Sequence, residues 1–114
     1  MDLKEIQALL ARFDKERGWD RFPASLVFTH LIEELGEVSR HITVEEGYKV
    51  IGIGHDAPNP EELSREFAQV FALFIQIVNH FNIDLESSIL SELEVMKNRF
   101  PAKEWKEHMD SHGH

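Results

Sequence analysis

Cysteine is absent from the 114 residues of this chain, and its absence removes several classes of protein at once. Without thiols the chain can form neither a disulfide framework nor a thiolate metal centre, and it has no cysteine nucleophile. Basic residues are also few, since 12 Lys and Arg stand against 21 Asp and Glu for a formal net charge of −9. A chain this acidic is a poor general ligand for nucleic acid or for anionic membranes, and it is suited to holding divalent cations.

Long hydrophobic runs are missing as well. No stretch approaches the roughly 18 apolar residues of a membrane span, and the first residues lack the basic-then-apolar order of a signal peptide. We therefore expect a cytosolic protein with no membrane partner and no nucleic-acid partner. The hydrophobic content of 42% and the length are those of one globular domain.

The spacing of apolar residues predicts an all-α fold, a bundle of about four helices. The first helix ends at Gly18, and the buried stripe predicted for the second comprises Leu26, Leu31, Leu35, Val38 and Ile42. Asn59 and Asp84 are the expected N-caps of the third and fourth helices. The predicted helices cover Leu3 to Lys15, Ala24 to Ile42, Pro60 to His80, and the segment from the Asp84 cap to Arg99.

The sequence predicts two segments outside the helices, a long loop and a flexible tail. Residues 41 to 59 contain three glycines and a proline, which predicts a long loop between helices two and three, of a kind that is more often functional than idle. We divide the chain into a helical domain over 1–105 and a flexible C-terminal tail over 106–114.

The third helix predicts an oligomer. Its centre, Phe67 to Val78, is apolar except for Gln69 and Gln76, so nearly every side of the helix needs to be buried. A monomer of four helices has too little surface to cover it. We therefore expect a homodimer or a homotetramer built as a dimer of dimers.

Carboxylates on two predicted helices form the candidate site. Glu33, Glu34 and Glu37 share roughly one face of helix two, where like charges at these spacings repel. Solvent, a nearby base or a bound cation would each offset that repulsion, and acidic triplets are common on solvated faces. If helix three packs alongside, Glu66 and Gln69 can join them, and such oxygen ligands suit Mg²⁺ or Mn²⁺.

Two other features have a structural and a functional interpretation. Trp19 and Phe22 either cap the core or stack on a flat ligand ring. Arg40 either pairs with Glu37 along the helix, which we favour, or contacts a phosphate.

The order and spacing of these motifs resemble the MazG-type nucleoside triphosphate pyrophosphohydrolases, part of the all-α NTP pyrophosphatase superfamily. The family pattern is E-E-x-x-E on one helix and E-x-x-D on the next. Glu33, Glu34 and Glu37 match the first part, and Glu66 matches the start of the second. Further similar segments are Arg17-Gly18-Trp19-Asp20, Asn82-Ile83-Asp84-Leu85 and Asn98-Arg99-Phe100-Pro101, so that the resemblance covers roughly Phe13 to Trp105.

The resemblance implies hydrolysis of an NTP or dNTP to the monophosphate and pyrophosphate, with a role for each matching residue. Mg²⁺, or Mn²⁺, would be held by Glu34, Glu37, Glu66 and Gln69. Glu33 would orient or deprotonate the attacking water. The substrate would be bound by Trp19 at the base and by Lys97 and Arg99 at the phosphates.

Two departures from the family pattern leave alternatives open. Gln69 stands where the family has aspartate, so the site loses one negative charge. Glu92 and Met96 stand where many members carry a lysine and an asparagine, which is why Lys97 and Arg99 are the candidate replacements. The alternative is a catalytically impaired nucleotide-binding protein or helical interaction protein of the same fold.

A ferritin-like dimetal centre is a weaker alternative. Such proteins place Glu-x-x-His pairs on facing helices. This chain has Glu37 and His41 four residues apart, and His30 precedes Glu33 by three, which is the reverse order.

Overall fold

The computed structural model describes residues 1–54 and 59–112, and within them the protein is all-α. Five helices and one short 3₁₀ turn follow one another along the chain. The helices are α1 (Leu3–Glu16), α2 (Ala24–Glu45), α3 (Pro60–His80), α4 (Leu85–Arg99) and α5 (Ala102–Ser111), and the 3₁₀ turn (Trp19–Arg21) lies between α1 and α2.

The helix ends follow local side-chain chemistry. The Asn59 side chain accepts a hydrogen bond from the Glu61 N–H at 2.9 Å, and the Asp84 side chain accepts one from the Ser87 N–H at 3.2 Å. Both predicted N-caps are therefore confirmed. Gly18 follows α1 with φ +73°, a backbone conformation that favours glycine.

The second and fifth helices differ from the prediction. α2 continues to Glu45, so the connection to α3 begins after that residue, and residues 55–58 of the predicted loop lie outside the described residues. Where the sequence predicted a flexible tail from residue 106, α5 continues as a helix to Ser111. Pro101 is the N-cap residue of this helix, and proline is well tolerated near a helix start.

The α2 and α3 helices pack together and form the centre of the structure. The completely buried Ile75 and the buried Val78 of α3 lie in the same small core as the apolar residues of α2 that are buried, which are Val27, Leu31, Val38 and Val44. The predicted stripe was therefore wrong at three positions: Leu26, Leu35 and Ile42 are exposed. The buried stripe instead runs through positions 27, 31, 38, 41 and 44.

Polar contacts through Gln7 join α1 to the rest of the molecule. The Gln7 side chain donates to the Ile83 carbonyl and accepts from the Leu85 N–H at 3.2 Å. Its backbone carbonyl accepts a bond from the Asn79 amide at 3.2 Å. These bonds fix the start of α4 against α1, while α1 also packs on α3.

A single chain leaves much apolar surface uncovered. The radius of gyration is 18.4 Å, against about 13 Å for a compact domain of this length. The accessible surface is 8844 Å², whereas a compact monomer of this mass exposes roughly 6,400 Å². No helix in residues 1–54 and 59–112 is both long and apolar enough to cross a membrane.

The uncovered surface includes two helical stripes on the central pair. On α2 the exposed residues Phe28, Ile32 and Leu35 recur at helical spacing, and on α3 Phe67, Phe71 and Phe74 do the same. In the single chain the apolar side chains of α3 split between a buried face and an exposed face. We call these six residues the outer stripes.

Candidate functional site

The α2 and α3 helices place the predicted acidic residues along one antiparallel helix pair. His41 of α2 contacts Glu66 of α3, while Val27 and His30, near the start of α2, line a cavity together with Gln76, near the end of α3. In this register Glu37 lies roughly one turn from the His41–Glu66 contact, at about the level of Val70. The acids of both helices therefore belong to one stretch of the pair.

Glu66 is the most constrained of these carboxylates. Its side chain is only 19% exposed, and its Oε1 lies 3.3 Å from Nε2 of His41, a residue that is 5% exposed. Its other oxygen, Oε2, is buried and has no hydrogen-bond partner in the described part of the chain. A buried carboxylate oxygen without a partner carries a desolvation cost, and a bound cation would offset that cost.

Glu34 and Glu37 each lie beside a base on their own helix. Glu34 is half-buried, with Oε1 3.5 Å from His30 Nε2. Glu37 is exposed, and its Oε2 accepts a hydrogen bond from Arg40 at 2.9 Å. The favoured interpretation of Arg40 as a helical partner of Glu37 is thus confirmed, and such an exposed pair contributes at most about 1 kcal/mol.

Gln69 is exposed on α3. This side of α3 is open in the single chain. Position 69 is one turn beyond Glu66, so the two residues share a face of the helix.

A cavity of about 510 Å³ lies between the 3₁₀ turn, α2 and α3. Trp19 and Phe22 form part of its wall at one end, and Glu33 lines it as well. Its lining is mainly apolar with a few polar groups, which is the composition of small-molecule sites, and its volume lies within their usual range. The structure thus brings the predicted stacking residue and the predicted catalytic carboxylate to one cavity.

A second cavity of about 310 Å³ adjoins the first, and the two share Trp19, Phe22, Val27 and Gln76. The edge of the Trp19 ring packs against Phe13, with 5.8 Å between ring centroids. The Trp19 carbonyl also accepts a hydrogen bond from the Gln76 amide at 3.1 Å. Trp19 is therefore fixed in place at the junction of the two cavities while it remains partly exposed.

Asp14 of α1 lines the smaller cavity and was not predicted as a site residue. It is only 8% exposed. Burial raises the pKa of its carboxyl, the negative charge of Asp20 raises that pKa further, and Arg17 lowers it in part. A desolvated carboxylate on a cavity wall is a candidate binding group.

Replacement of Asp14 by asparagine is expected to raise the melting temperature at pH 7. Because the folded-state pKa is raised, the carboxyl stabilises the fold below its unfolded-state pKa and loses that contribution as the pH rises through the folded-state value. The gain should therefore shrink as the pH falls from 7 towards 4. Thermal melts at several pH values, with the exposed Asp110→Asn as control, test this, and an unchanged or lower melting temperature at pH 7 would contradict it.

Lys97 and Arg99 lie at the end of α4, which packs on α1. Lys97 pairs with Glu94 at 3.0 Å, and the Arg99 guanidinium lies 5.1 Å from the centre of the Phe100 ring. They are about 18 Å along the helix from the junction of α4 with Gln7. The contacts recorded for them are local to α4 and its end.

The acidic side chains along α2 and α3 are candidate ligands for a metal ion. Within residues 1–54 and 59–112 no group of three or more His, Asp or Glu side chains is gathered closely enough to bind a metal ion. The donors along the helix pair are nevertheless hard oxygens, and the unpartnered Glu66 Oε2 is suited to a divalent cation. The chemistry of the donors fits Mg²⁺ or Mn²⁺.

The sequence reasoning assigned neither the contact of His41 with Glu66 nor a site role for Asp14, although both residues lie on buried helix faces. His41 continues the buried stripe of α2 after Val38, and Asp14 follows the buried Gln7 by two helical turns on α1. Both positions could have been found by searching for polar residues on the buried face instead of for acidic clusters.

Comparisons with known proteins give distant similarities. The chain is 28% identical to dCTP pyrophosphatase 1 of Homo sapiens over 106 residues, which are 88% of this chain and 59% of the human protein. It is 26% identical to dCTP pyrophosphatase 1 of Rattus norvegicus over 104 residues, 87% of this chain and 59% of that protein. It is 25% identical to the uncharacterized protein YvdC of Bacillus subtilis (strain 168) over 109 residues, 88% of this chain and 97% of YvdC.

This chain thus spans less than two thirds of the length of the mammalian relatives that it matches. No protein-family model matches it. No solved structure gives a significant match. The similarities support the resemblance described above at the level of the superfamily.

Proposed function

We propose that this protein is a divalent-metal-dependent pyrophosphohydrolase that converts an NTP or dNTP to the monophosphate and pyrophosphate. The observation that carries the proposal is the carboxylate of Glu66, which is largely buried with one oxygen unpartnered. It lies on the helix pair that also carries Glu34 and Glu37. The dCTP pyrophosphatases among the relatives support the same type of reaction.

The arrangement of the site suggests how a nucleotide would lie. The base would stack on Trp19 in the larger cavity, and the triphosphate would extend along α2 towards the acids. Glu33 lines the cavity and is one helical turn, about 6 Å, from Glu37. Glu33 thus stands between the proposed base position and the proposed metal ligands.

In this proposal each residue of the site has a separate chemical role. Glu34, Glu37, Glu66 and Gln69 would hold Mg²⁺ or Mn²⁺. Such an ion neutralises triphosphate charge and polarises the α-phosphoryl group when it is bound. Glu33 would accept a proton from water as the water oxygen bonds to the α-phosphorus. The bond from that phosphorus to the bridging oxygen breaks, and pyrophosphate leaves with the bonding electrons.

The outer stripes support the proposal that the protein is a homodimer or homotetramer. The accessible surface exceeds that of a compact monomer by more than the ~800 Å² that each partner buries in a standard interface. Within residues 1–54 and 59–112, Lys97 pairs with Glu94 and Arg99 lies over the Phe100 ring. We propose that assembly brings Lys97 and Arg99 to the phosphates of a neighbouring subunit's substrate. Arginine's planar fork suits phosphate oxygens.

A direct test is a screen of pyrophosphate release across ordinary and modified NTPs and dNTPs, with Mg²⁺, Mn²⁺ and no added metal. We expect release with at least one nucleotide, dependent on the metal, and the screen also identifies the preferred base and sugar. Absence of release with every nucleotide, accompanied by stabilisation of the fold by nucleotide, would favour the alternative of a binding protein without turnover.

The alternative of a binding protein without turnover is favoured by Gln69, which stands where the family pattern has aspartate. This residue gives a separate prediction. Restoring the acid with Gln69→Asp should lower the metal concentration needed for half-maximal activity by about tenfold, because a further negative charge is added to the proposed site. Titration of pyrophosphate release with Mg²⁺ and Mn²⁺ measures the change. Ser64→Asp adds the same charge on another side of α3 and should have little effect. Equal responses of the two variants would remove Gln69 from the site.

A further inference from the structure

His41 makes an unusual contact for a residue on an apolar helix face. It lies on the buried stripe of α2 next to Val38 and Val44, and it is 95% removed from solvent, with an exposure of 5%. Its Nε2 faces Oε1 of Glu66 at 3.3 Å, across the interface between α2 and α3. A polar ring at such a position needs a partner, and Glu66 is that partner.

The two oxygens of the Glu66 carboxylate have different surroundings. Oε1 faces His41, while Oε2 is buried without a hydrogen-bond partner in the described residues. In the tautomer with hydrogen on Nε2, the imidazole donates to Oε1 and fixes the carboxylate plane. Oε2 is then the carboxylate oxygen that has no partner among the described residues.

We propose that His41 is a positioning residue for the metal site: its Nε2–H holds Oε1 of Glu66 so that Oε2 is presented to the divalent cation. The inference rests on the proposed function, since Glu66 is the cation ligand there. His41 itself touches neither substrate nor metal in this account.

The physical reason is the freedom of a glutamate side chain. Three rotatable bonds let an unrestrained carboxylate swing away from a ligand position, and ordering it at the moment of binding costs affinity. A hydrogen bond from a rigid, buried ring removes that freedom in advance. Ligating carboxylates are commonly oriented by such partners, whose loss reduces metal affinity by about 10–100-fold.

The competing explanation is that the contact only joins α2 to α3. Such a role would affect the stability of the fold and leave the affinity for metal unchanged. Measuring both the affinity for metal and the stability of the fold in the same variants therefore distinguishes the two explanations.

The experiment compares three replacements of His41. His41→Gln places an amide N–H near the position of Nε2, whereas His41→Met has similar length and no donor. His41→Asn keeps an amide that is too short to reach Glu66, and it serves if the apolar variant does not fold. Each protein is assayed for Mn²⁺ binding by the electron paramagnetic resonance signal of free Mn²⁺, for metal activation of pyrophosphate release, and for melting temperature.

We expect His41→Met and His41→Asn to weaken Mn²⁺ binding by about 10–100-fold, with a matching rise in the metal concentration for half-maximal activity. His41→Gln should stay within about threefold of the parent in both measurements, because it restores the hydrogen bond. At saturating metal, the turnover of all variants that fold should approach that of the parent.

Parent-like Mn²⁺ affinity in His41→Met or His41→Asn, beside a lowered melting temperature, would overturn the inference and leave the proposed function standing. A parent protein that neither binds Mn²⁺ nor releases pyrophosphate would instead contradict the proposed function, and the inference would fall with it.

Discussion

Replacement of Glu66 by glutamine is expected to reduce metal-dependent pyrophosphate release by at least about 100-fold, which is the upper range for losing an outer-shell partner of a metal ligand. The change removes the negative charge of the carboxylate whose Oε2 is buried and unpartnered. The shape of the side chain is kept, and its amide oxygen can still accept a hydrogen bond from His41. Glu37→Ala should have a similar effect, because it removes a second proposed ligand. Initial rates with saturating nucleotide over a range of metal concentrations measure both losses.

The matched control is Glu61→Gln, which makes the same chemical change in the first turn of α3. Glu61→Gln should retain nearly all activity. Its melting temperature, compared with that of the parent, measures the effect on stability of replacing a glutamate of α3 by glutamine. Undiminished pyrophosphate release in Glu66→Gln would remove Glu66 from the metal site, and with it the principal support for the mechanism.

Introducing a carboxylate into the outer stripes is expected to separate the subunits. Leu35→Glu on α2 and Phe71→Glu on α3 each place a charge at an apolar position that the oligomer would bury, and an unpaired buried charge is strongly destabilising. We expect the mass in solution to fall to that of the 13.3 kDa chain, together with a loss of activity if α4 of a neighbour supplies Lys97 and Arg99.

Sedimentation equilibrium across a range of protein concentrations makes the measurement. Arg12→Glu places a carboxylate at an exposed polar position of α1 outside the outer stripes, and it should leave the assembly intact. The proposal of an oligomer built on these stripes is contradicted if the parent protein sediments as a monomer, or if both stripe variants keep the parent's assembly.

The helix boundaries could be predicted where a local signal decides them. Asn59 and Asp84 cap the helices that follow because their side chains bond to nearby N–H groups. The α5 helix was missed because the chain from residue 106 was predicted to be a flexible tail, although a proline such as Pro101 favours a helix start. The predicted α2 stripe combined residues of two apolar faces: Leu31 and Val38 are buried, whereas Leu26, Leu35 and Ile42 are exposed. Only packing determines which of the two faces one chain buries.

The candidate site was predictable only where the relation between its residues is local in sequence. Helical spacing indicated that Glu33, Glu34 and Glu37 lie close together on α2, since that relation is local. The His41–Glu66 contact spans 25 residues of sequence and depends on the register of α2 against α3. The spacing of residues within one helix does not determine that register, so His41 was missed.

The proposed chemistry requires carboxylates of α2 and α3 to act together on a nucleoside triphosphate. The most direct measurement is the identity of the products formed from that nucleotide by the purified protein, with and without Mg²⁺ or Mn²⁺. We expect equal amounts of monophosphate and pyrophosphate, formed only with metal and lost in Glu66→Gln. Formation of the diphosphate and orthophosphate, or product formation that survives both removal of metal and loss of Glu66, would contradict it.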